Sequence, residues 1–286
     1  MAMLTAEAEQ LGARGISRAT AFRIEFVRDW KQAAARWSDI APSTPFQDPQ
    51  WLAAWYGAFA GVDGVEPLIV LVSDAATSER VALLPLVRRV QNGVRIVEFA
   101  DLNLTDYNAP VLTASAPRDA AAAQILWREL QAALKGLPGG VDLVRLRKMP
   151  VDLDGRPNPL ALLDGAGGCP LNGNVVATGD DFDAYRYSLG RTVRKELERS
   201  WRVFTRDPAA AFEIVTDRNE AFRVLSIMEI QQGARMQHLG LTFILNGDTC
   251  AAFYRNFGDA MVAMSRVGVL TGGSGEIRRV IGQVNS

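Results

Sequence analysis

Three consecutive side chains near the middle of the chain, Asp106, Tyr107 and Asn108, have the chemistry to recognise a hydroxylated small molecule. Carboxylate and amide groups orient hydroxyls through hydrogen bonds, and a tyrosine offers a stacking face or a phenolic proton. The string therefore predicts a loop that recognises a sugar. Because Asp and Asn ahead of Pro110 are also common in turns, a loop with a purely structural role is the alternative.

A segment in the second half of the chain is strongly basic. Glu196 and Glu198 are opposed there by seven cations, which are Arg186, Arg191, Arg194, Lys195, Arg199, Arg202 and Arg206. The whole chain has a net charge of −1, so this segment creates a local positive field that suits an anionic ligand or a membrane surface. A solvated helix face with an ion pair between Arg194 and Glu198 is the alternative.

Several reaction classes lack the side chains that they need. His238 is the only histidine, so a Ser-His-Asp or Cys-His arrangement cannot be assembled elsewhere, and a site with several histidines around a metal is excluded. Cys169 and Cys250 stand far apart without a CxxC motif, which argues against a disulfide framework and a thiolate zinc site. Hydrolase and metalloenzyme functions are therefore disfavoured. His238 itself suits the end of a helix, where the helix dipole favours its charged form.

Length and composition indicate two domains rather than one. The chain has 286 residues, and 48% of them are apolar, which is enough for two buried cores. Lys+Arg 31 and Asp+Glu 32 nearly cancel, so the molecule as a whole has no attraction to nucleic acid. No apolar run approaches the ~20 residues of a transmembrane helix. We expect a cytoplasmic protein without an integral membrane segment.

Hydrophobic periodicity predicts strands and helices that alternate along the chain. Strands are expected at 22–27, 67–73, 80–90, 94–99, 141–146, 211–216, 261–270 and 277–284. Helices are expected at 30–37, 48–61, 125–137, 181–204 with a kink or split at Gly190, from Asp217 onward, and at 248–259. Pro85 is expected at a bulge or a sheet edge, because proline breaks the hydrogen-bond ladder. Trp127 and Trp201 are expected in the core.

The same order of elements occurs twice. A strand, two helices and a hairpin span 22–90 and again 211–284, which indicates an internal repeat. Gly, Pro and Asn crowd residues 150–179, so the boundary is expected there. The predicted organisation is a disordered leader at 1–20, an N-terminal unit at 21–165, and a C-terminal unit at 166–286 that is incomplete.

Several strings, taken in order, resemble the CelD-type acetyltransferases of cellulose and exopolysaccharide biosynthesis, a branch of the GNAT superfamily. The matching strings are Thr44-Pro45-Phe46-Gln47 with Trp51-Leu52, residues 83–89, residues 105–110, Leu189-Gly190-Arg191 and residues 193–197. The resemblance implies an α/β fold of tandem GNAT-like mixed β-sheets flanked by helices, as in the FemAB aminoacyltransferases. It also implies acyl transfer with acetyl-CoA as the donor.

The resemblance suggests roles for individual residues. The loop at 106–108, together with Arg235, would bind a saccharide or another small acceptor. Arg194 and Lys195 fall within a matching string and would bind acetyl-CoA. No catalytic residue is assigned, and Glu229 and Tyr254 are candidates for the general base.

The chain departs from the GNAT pattern at two points. GNAT folds hold the pyrophosphate of coenzyme A on backbone N–H groups of a glycine-rich loop, whereas residues 100–119 contain no glycine. The second unit is expected to be incomplete and to lack its own version of that loop. A catalytically silent accessory protein in exopolysaccharide assembly and a FemAB-like aminoacyltransferase are therefore the alternatives. Self-association is expected through the strand at 277–284, because an exposed edge strand can pair with another chain.

Overall fold

A computed structural model describes residues 21–37, 44–62, 64–168, 176–208, 210–262, 266–271 and 277–284, with side chains as far as residue 257. The leader predicted at 1–20 lies outside the described residues.

Six strands form a mixed sheet in the first half of the described chain. They are β1 (Phe22–Val27), β2 (Val65–Asp74), β3 (Arg80–Gln91), β4 (Val94–Phe99), β5 (Val111–Leu112) and β6 (Leu143–Val144). The order is β1-β2-β3-β4-β6, and β5 is a further partner of β3. Only β4 and β6 run parallel; the other pairs among these strands are antiparallel. Apart from β5, the strands lie within a few residues of their predicted positions.

Helices cover both faces of this sheet and also occur in the second half of the described chain. They are α1 (Trp30–Ala35), α2 (Pro49–Phe59), α3 (Ala120–Lys135), α4 (Phe182–Ser188), α5 (Arg191–Phe204), α6 (Arg218–His238) and α7 (Asp248–Val262). The second half also contains an antiparallel sheet of β7 (Ala211–Val215), β8 (Arg266–Thr271) and β9 (Ile277–Val284), in the order β7-β8-β9.

The core lies on both sides of β2 and β3, which explains their nearly continuous apolar sequences. Side chains alternate across a strand, so Leu84 and Leu86 contact the core beneath α3, whereas Leu83 and Val87 contact the core beneath α2. The sheet is therefore the middle layer of a mixed α/β arrangement with flanking helices.

The start of α2 follows the capping pattern that predicted it. Asp48 Oδ1 accepts a hydrogen bond from Gln50 N at 2.7 Å, and Pro49 occupies the first helical position, where no amide partner is needed. Tyr56 Oη donates to the carbonyl oxygen of Leu86 at 2.9 Å, which fastens the helix to β3. Burial raises the pKa of Tyr56 well above its usual value, so the hydroxyl remains a donor at neutral pH.

The prediction for Pro85 is wrong, because this residue lies in the central strand β3 and pairs with Ile69 without a register shift. Its carbonyl oxygen accepts from Ala100 N at 2.9 Å, so its nitrogen faces the same side of the strand. On that side β4 pairs with β3 from Leu86 onward, and β5 pairs only as far as Leu83. The missing N–H therefore falls where the pairing of β4 with β3 ends, so the proline interrupts the ladder at that point without a bulge.

The second half of the chain contributes to the core of the first through α7. Phe253 is fully buried and belongs to the cluster beneath α2. Its ring lies edge-on to Trp51 at 5.1 Å between centroids and 5.7 Å from the ring of Phe59. The two halves thus share an interior, although the sequence pattern separates them at about residue 165.

The element order of the first three strands recurs in the second half. The segment from β1 to β3 has the order strand, helix, short 3-10 turn, helix and hairpin, and the segment from β7 to β9 has the same order. In both segments the first strand lies beside the second, and the second lies beside the third. The predicted repeat of element order is therefore confirmed. β9 is an outer strand of the described three-stranded sheet, and self-association through it stays a prediction.

Gly190 separates α4 from α5, as the sequence predicts, yet neither helix contains a buried residue. Trp201 is 64% exposed, so its predicted place in the core is wrong. Trp127 is partly buried against the core beneath α3. None of the helices in the described ranges has both the length and the apolar character needed to cross a bilayer.

Candidate functional site

The polar string at 106–108 lies in the loop that joins β4 to β5, at residues 100–110, hereafter the 100–110 loop. Residues 145–150 follow β6. Because β4 and β6 are parallel neighbours, both segments leave the sheet at the same edge. Open α/β sheets bind ligands at the carboxyl ends of their parallel strands, so this edge is a candidate site.

Asp101 and Lys148 form the ionic centre of the 100–110 loop. Lys148 Nζ lies 2.9 Å from Asp101 Oδ2 and donates to the carbonyl oxygen of Thr105 at 2.7 Å. Asp101 Oδ1 accepts from the backbone N–H of Thr105 at 3.0 Å and lies 2.8 Å from its hydroxyl. The side chains of Asp101 and Lys148 are only 16% and 19% exposed, so this pair crosslinks the two segments in a largely buried setting.

Asn108 is 3% exposed and directs its side chain into the loop. Nδ2 donates to Asp101 Oδ2 at 3.2 Å and to the carbonyl oxygen of Arg147 at 3.1 Å, and Oδ1 lies 2.8 Å from Thr105 Oγ1. Its backbone N–H donates to the carbonyl oxygen of Lys148 at 2.9 Å. The side chain therefore has the structural role named above as the alternative, whereas Asp106 is exposed and Tyr107 is half-buried.

The backbone around this network adopts an uncommon conformation. Leu102, Asn103 and Lys148 have φ values of 49°, 64° and 60°, which is the left-handed region that residues other than glycine rarely occupy. Such backbone persists only where its surroundings hold it, and it is concentrated at functional sites. The hydrogen bonds of Asp101 and Asn108 supply that restraint here.

The ionisation of Asp101 makes this loop sensitive to acid. Burial acts to raise the pKa of Asp101, but hydrogen bonds from Lys148 and Thr105 and the Lys148 charge outweigh it, so the pKa is lowered. Because the pKa falls on folding, the carboxylate stabilises the protein above its unfolded value near 3.9 and loses this contribution as pH falls through the folded pKa.

We expect Asp101→Asn to be less stable than the wild type at neutral pH and to approach it as the pH falls from about 5 towards 2. Urea unfolding at several pH values measures the difference. Thr113→Val, which removes a 2.7 Å hydrogen bond to the carbonyl oxygen of Arg80 but no ionisable group, is the control and should differ from the wild type by a constant amount. A constant difference for Asp101→Asn would contradict the proposed ionisation.

Tyr254 on α7 packs against the cluster beneath α2, which includes Leu104 of the 100–110 loop. Burial raises its pKa, and the charges of Cys250 and Asp106 raise it further, so the phenol stays protonated at neutral pH. Burial also raises the pKa of Cys250, which disfavours the thiolate and therefore a cysteine nucleophile. A phenol from α7 therefore lies near the loop that carries the exposed carboxylate of Asp106.

Aromatic side chains connect the loop to α7. The ring of Phe46 lies 6.4 Å from that of Tyr107 and 5.2 Å from that of Trp51, and Trp51 in turn contacts Phe253. Gln47 Nε2 donates to the carbonyl oxygen of Tyr107 at 3.4 Å. Residues 44–47, for which the sequence indicates only a resemblance and no role, therefore form part of the wall of the site.

The remaining predicted residues lie elsewhere. Arg235 is exposed in the last turn of α6, and Glu229 on the same helix lies 3.4 Å from Arg255 of α7. Arg194 and Lys195 lie on α5. In the described part of the chain, no hydrogen bond, ion pair or ring contact joins Arg194, Lys195 or Arg235 to the 100–110 loop. His238 is exposed at the end of α6, as expected.

No site role was predicted for three members of the network: Asp101, Thr105 and Lys148. Asp101 follows directly after a predicted strand, which is a usable signal for a polar group at a sheet edge. Lys148 lies in a segment without periodicity, and only the parallel pairing of β4 with β6 brings it to Asp101.

The chain matches none of the protein-family models, curated proteins or solved structures with which it was compared.

Proposed function

We propose that this protein is a GNAT-type acyltransferase that moves an acyl group from acetyl-CoA to an amine or hydroxyl of a saccharide in polysaccharide biosynthesis. The observation that carries the proposal is that Tyr254 of α7 packs near the 100–110 loop, which presents the exposed Asp106 at the edge where β4 and β6 end. The recurrence of element order supports two GNAT-like units in tandem, and the resembling strings at 44–47 and 105–108 meet at this edge.

The chemistry needs one group that takes a proton and one that gives a proton. The acceptor oxygen or nitrogen attacks the thioester carbonyl carbon, the C–S bond breaks, the acceptor loses a proton and the leaving thiolate gains one. Asp106 is exposed and can receive the acceptor proton. Tyr254 stays protonated because its pKa is raised, so it suits donation to the sulfur better than the role of base considered for it from the sequence.

The phosphates of the donor need an anion-binding element, and the N-terminus of α5 fits them. The helix begins after Gly190 without a side-chain cap, so the first N–H groups of the helix have no intrahelical acceptor. Arg194 and Lys195 lie in its first turns. Backbone donors at a helix N-terminus together with cationic side chains favour phosphate binding. We assign the coenzyme A phosphates to this end of α5.

Titration with acetyl-CoA and with free coenzyme A tests the proposal by calorimetry and thermal unfolding. A ligand at one hundred times its dissociation constant should stabilise the fold by about 2.7 kcal/mol. Absence of binding by either compound would overturn the acyltransferase proposal and favour the accessory protein.

Tyr254→Phe should bind acetyl-CoA as the wild type does, yet transfer acetyl groups to a saccharide amine at least about a hundredfold more slowly, because it lacks the proton that the thiolate needs. The rate should be measured by release of free coenzyme A. Tyr187→Phe removes the same hydroxyl from an exposed ring on α4 and should leave the rate unchanged. Equal rates for both variants would remove Tyr254 from the mechanism.

A further inference from the structure

Helix α5 has an apolar ridge that faces solvent. Val193, Leu197, Trp201 and Phe204 recur at intervals of three or four residues, which places them on one side of the helix. Val193, Leu197 and Trp201 are 51%, 44% and 64% exposed. Monomeric proteins seldom leave such a row of large apolar side chains in water, and exposed apolar rows commonly mark an interaction surface.

The opposite side of α5 is cationic. Arg199, Arg202 and Arg206, together with Val203, line an open groove of about 500 Å³. At 100° per residue, Arg191 and Lys195 fall on the same side. Glu196 contacts Arg199 at 3.5 Å, with both side chains at least 65% exposed, and such a pair offsets little of the positive potential. The predicted ion pair of Arg194 with Glu198 is not among the contacts of the described residues.

The apolar ridge and the cationic side of α5, taken together, favour one class of partner. A second copy of this chain would cover the ridge but would bring its own arginines near these ones, which like-charge repulsion opposes. A nucleic acid would neutralise the arginines and leave Val193 and Leu197 in water. An anionic bilayer meets both requirements, because lipid phosphates pair with guanidinium groups while the ridge enters the boundary between headgroups and acyl chains.

We propose that α5 binds the protein peripherally to an anionic membrane surface. The helix has the features of interfacial helices, which are a strongly charged face, low overall hydrophobicity and a tryptophan on the apolar side. The helix lies in the plane of the membrane and does not cross it, which agrees with the lack of a membrane-crossing helix in the described ranges. The proposal does not depend on acyl transfer.

Sedimentation with vesicles tests the binding. The full chain should bind vesicles of equal parts phosphatidylglycerol and phosphatidylcholine, bind phosphatidylcholine alone far more weakly, and lose affinity as salt rises. The triple variant Arg199→Gln, Arg202→Gln, Arg206→Gln should bind about one hundred times more weakly, since each cation contributes about fivefold. The matched control Lys31→Gln, Arg128→Gln, Lys135→Gln removes the same charge from exposed positions elsewhere and should bind nearly as the wild type does.

The ridge is tested by Trp201. Trp201→Gln should weaken vesicle binding about tenfold or more, because a polar group then enters the apolar boundary. Trp201→Phe should still bind, but quenching of tryptophan fluorescence by brominated lipid should fall sharply. Because Trp201 is exposed, both variants should unfold at the wild-type temperature, which separates loss of binding from loss of fold.

Three outcomes would overturn the proposal. The first is equal binding of the wild type and the triple variant to anionic vesicles, or no binding by either. The second is tight binding of a single-stranded DNA oligonucleotide that depends on the arginines but not on Trp201. The third is reversible dimerisation in sedimentation velocity that Trp201→Gln abolishes, since the ridge would then be covered by a second copy.

Discussion

Replacing Phe253 with alanine should lower the free energy of unfolding by about 3–5 kcal/mol, the range for removal of a buried phenylalanine ring. The ring is fully buried among Trp51, Phe59 and the other residues beneath α2, so its removal leaves a cavity that the surrounding aromatic side chains cannot easily fill. Urea denaturation followed by circular dichroism measures the change.

The matched control for this prediction is Phe182→Ala. It removes the same side chain from α4, where the ring is 69% exposed, and should change the free energy of unfolding by about 0.5 kcal/mol or less. If Phe253→Ala were as mild as the control, α7 would not be docked against α2 in solution. The shared interior of the two halves would then be wrong.

Replacing Lys148 with methionine should cost about 3 kcal/mol of stability, at the low end of the range for a broken buried ion pair, because Asp101 and Lys148 keep some exposure. The substitution leaves the carboxylate of Asp101 without its cation and the carbonyl oxygen of Thr105 without its 2.7 Å donor. It should also loosen the loop that presents Asp106, so under the proposed function acetyl transfer should become slower as well.

A double-mutant cycle separates the pair from its surroundings. Lys148→Met combined with Asp101→Asn should cost clearly less than the sum of the two single changes, since the uncompensated charge is absent from the double variant. Arg199→Met, which breaks an exposed pair with Glu196 at 3.5 Å, is the control and should change stability by less than about 1 kcal/mol. Simple additivity of the two loop substitutions would show that Asp101 and Lys148 do not interact.

Elements of the first half could be predicted because their local signals agree with their tertiary surroundings. Asp48 and Pro49 specify the start of α2 by capping chemistry, and apolar spacing specifies which side of that helix is buried. The prediction for Pro85 failed because a strand pattern shows that proline cannot donate to a neighbouring strand, but it does not show where along β3 the neighbouring strands end. Here the sheet changes from β4 to β5 beside that residue.

The candidate site could be predicted only in part. The string at 106–108 was found from its polar chemistry, but its division into a buried Asn108 and an exposed Asp106 depends on residues from another strand connection. The approach of Tyr254 depends on the docking of α7, which no local pattern encodes. The prediction that Trp201 lies in the core was wrong for a related reason. Apolar spacing shows that one side of a helix is apolar but does not show what covers that side.

The burial of Phe253 couples the unfolding of the two halves of the chain. Two segments that are separate along the polypeptide share a single aromatic interior, so neither can lose its structure without exposing apolar surface of the other. Heat or denaturant should therefore melt residues on both sides of the boundary near 165 in one cooperative transition, and a fragment that ends there would retain an open hydrophobic socket beside Trp51 and Phe59.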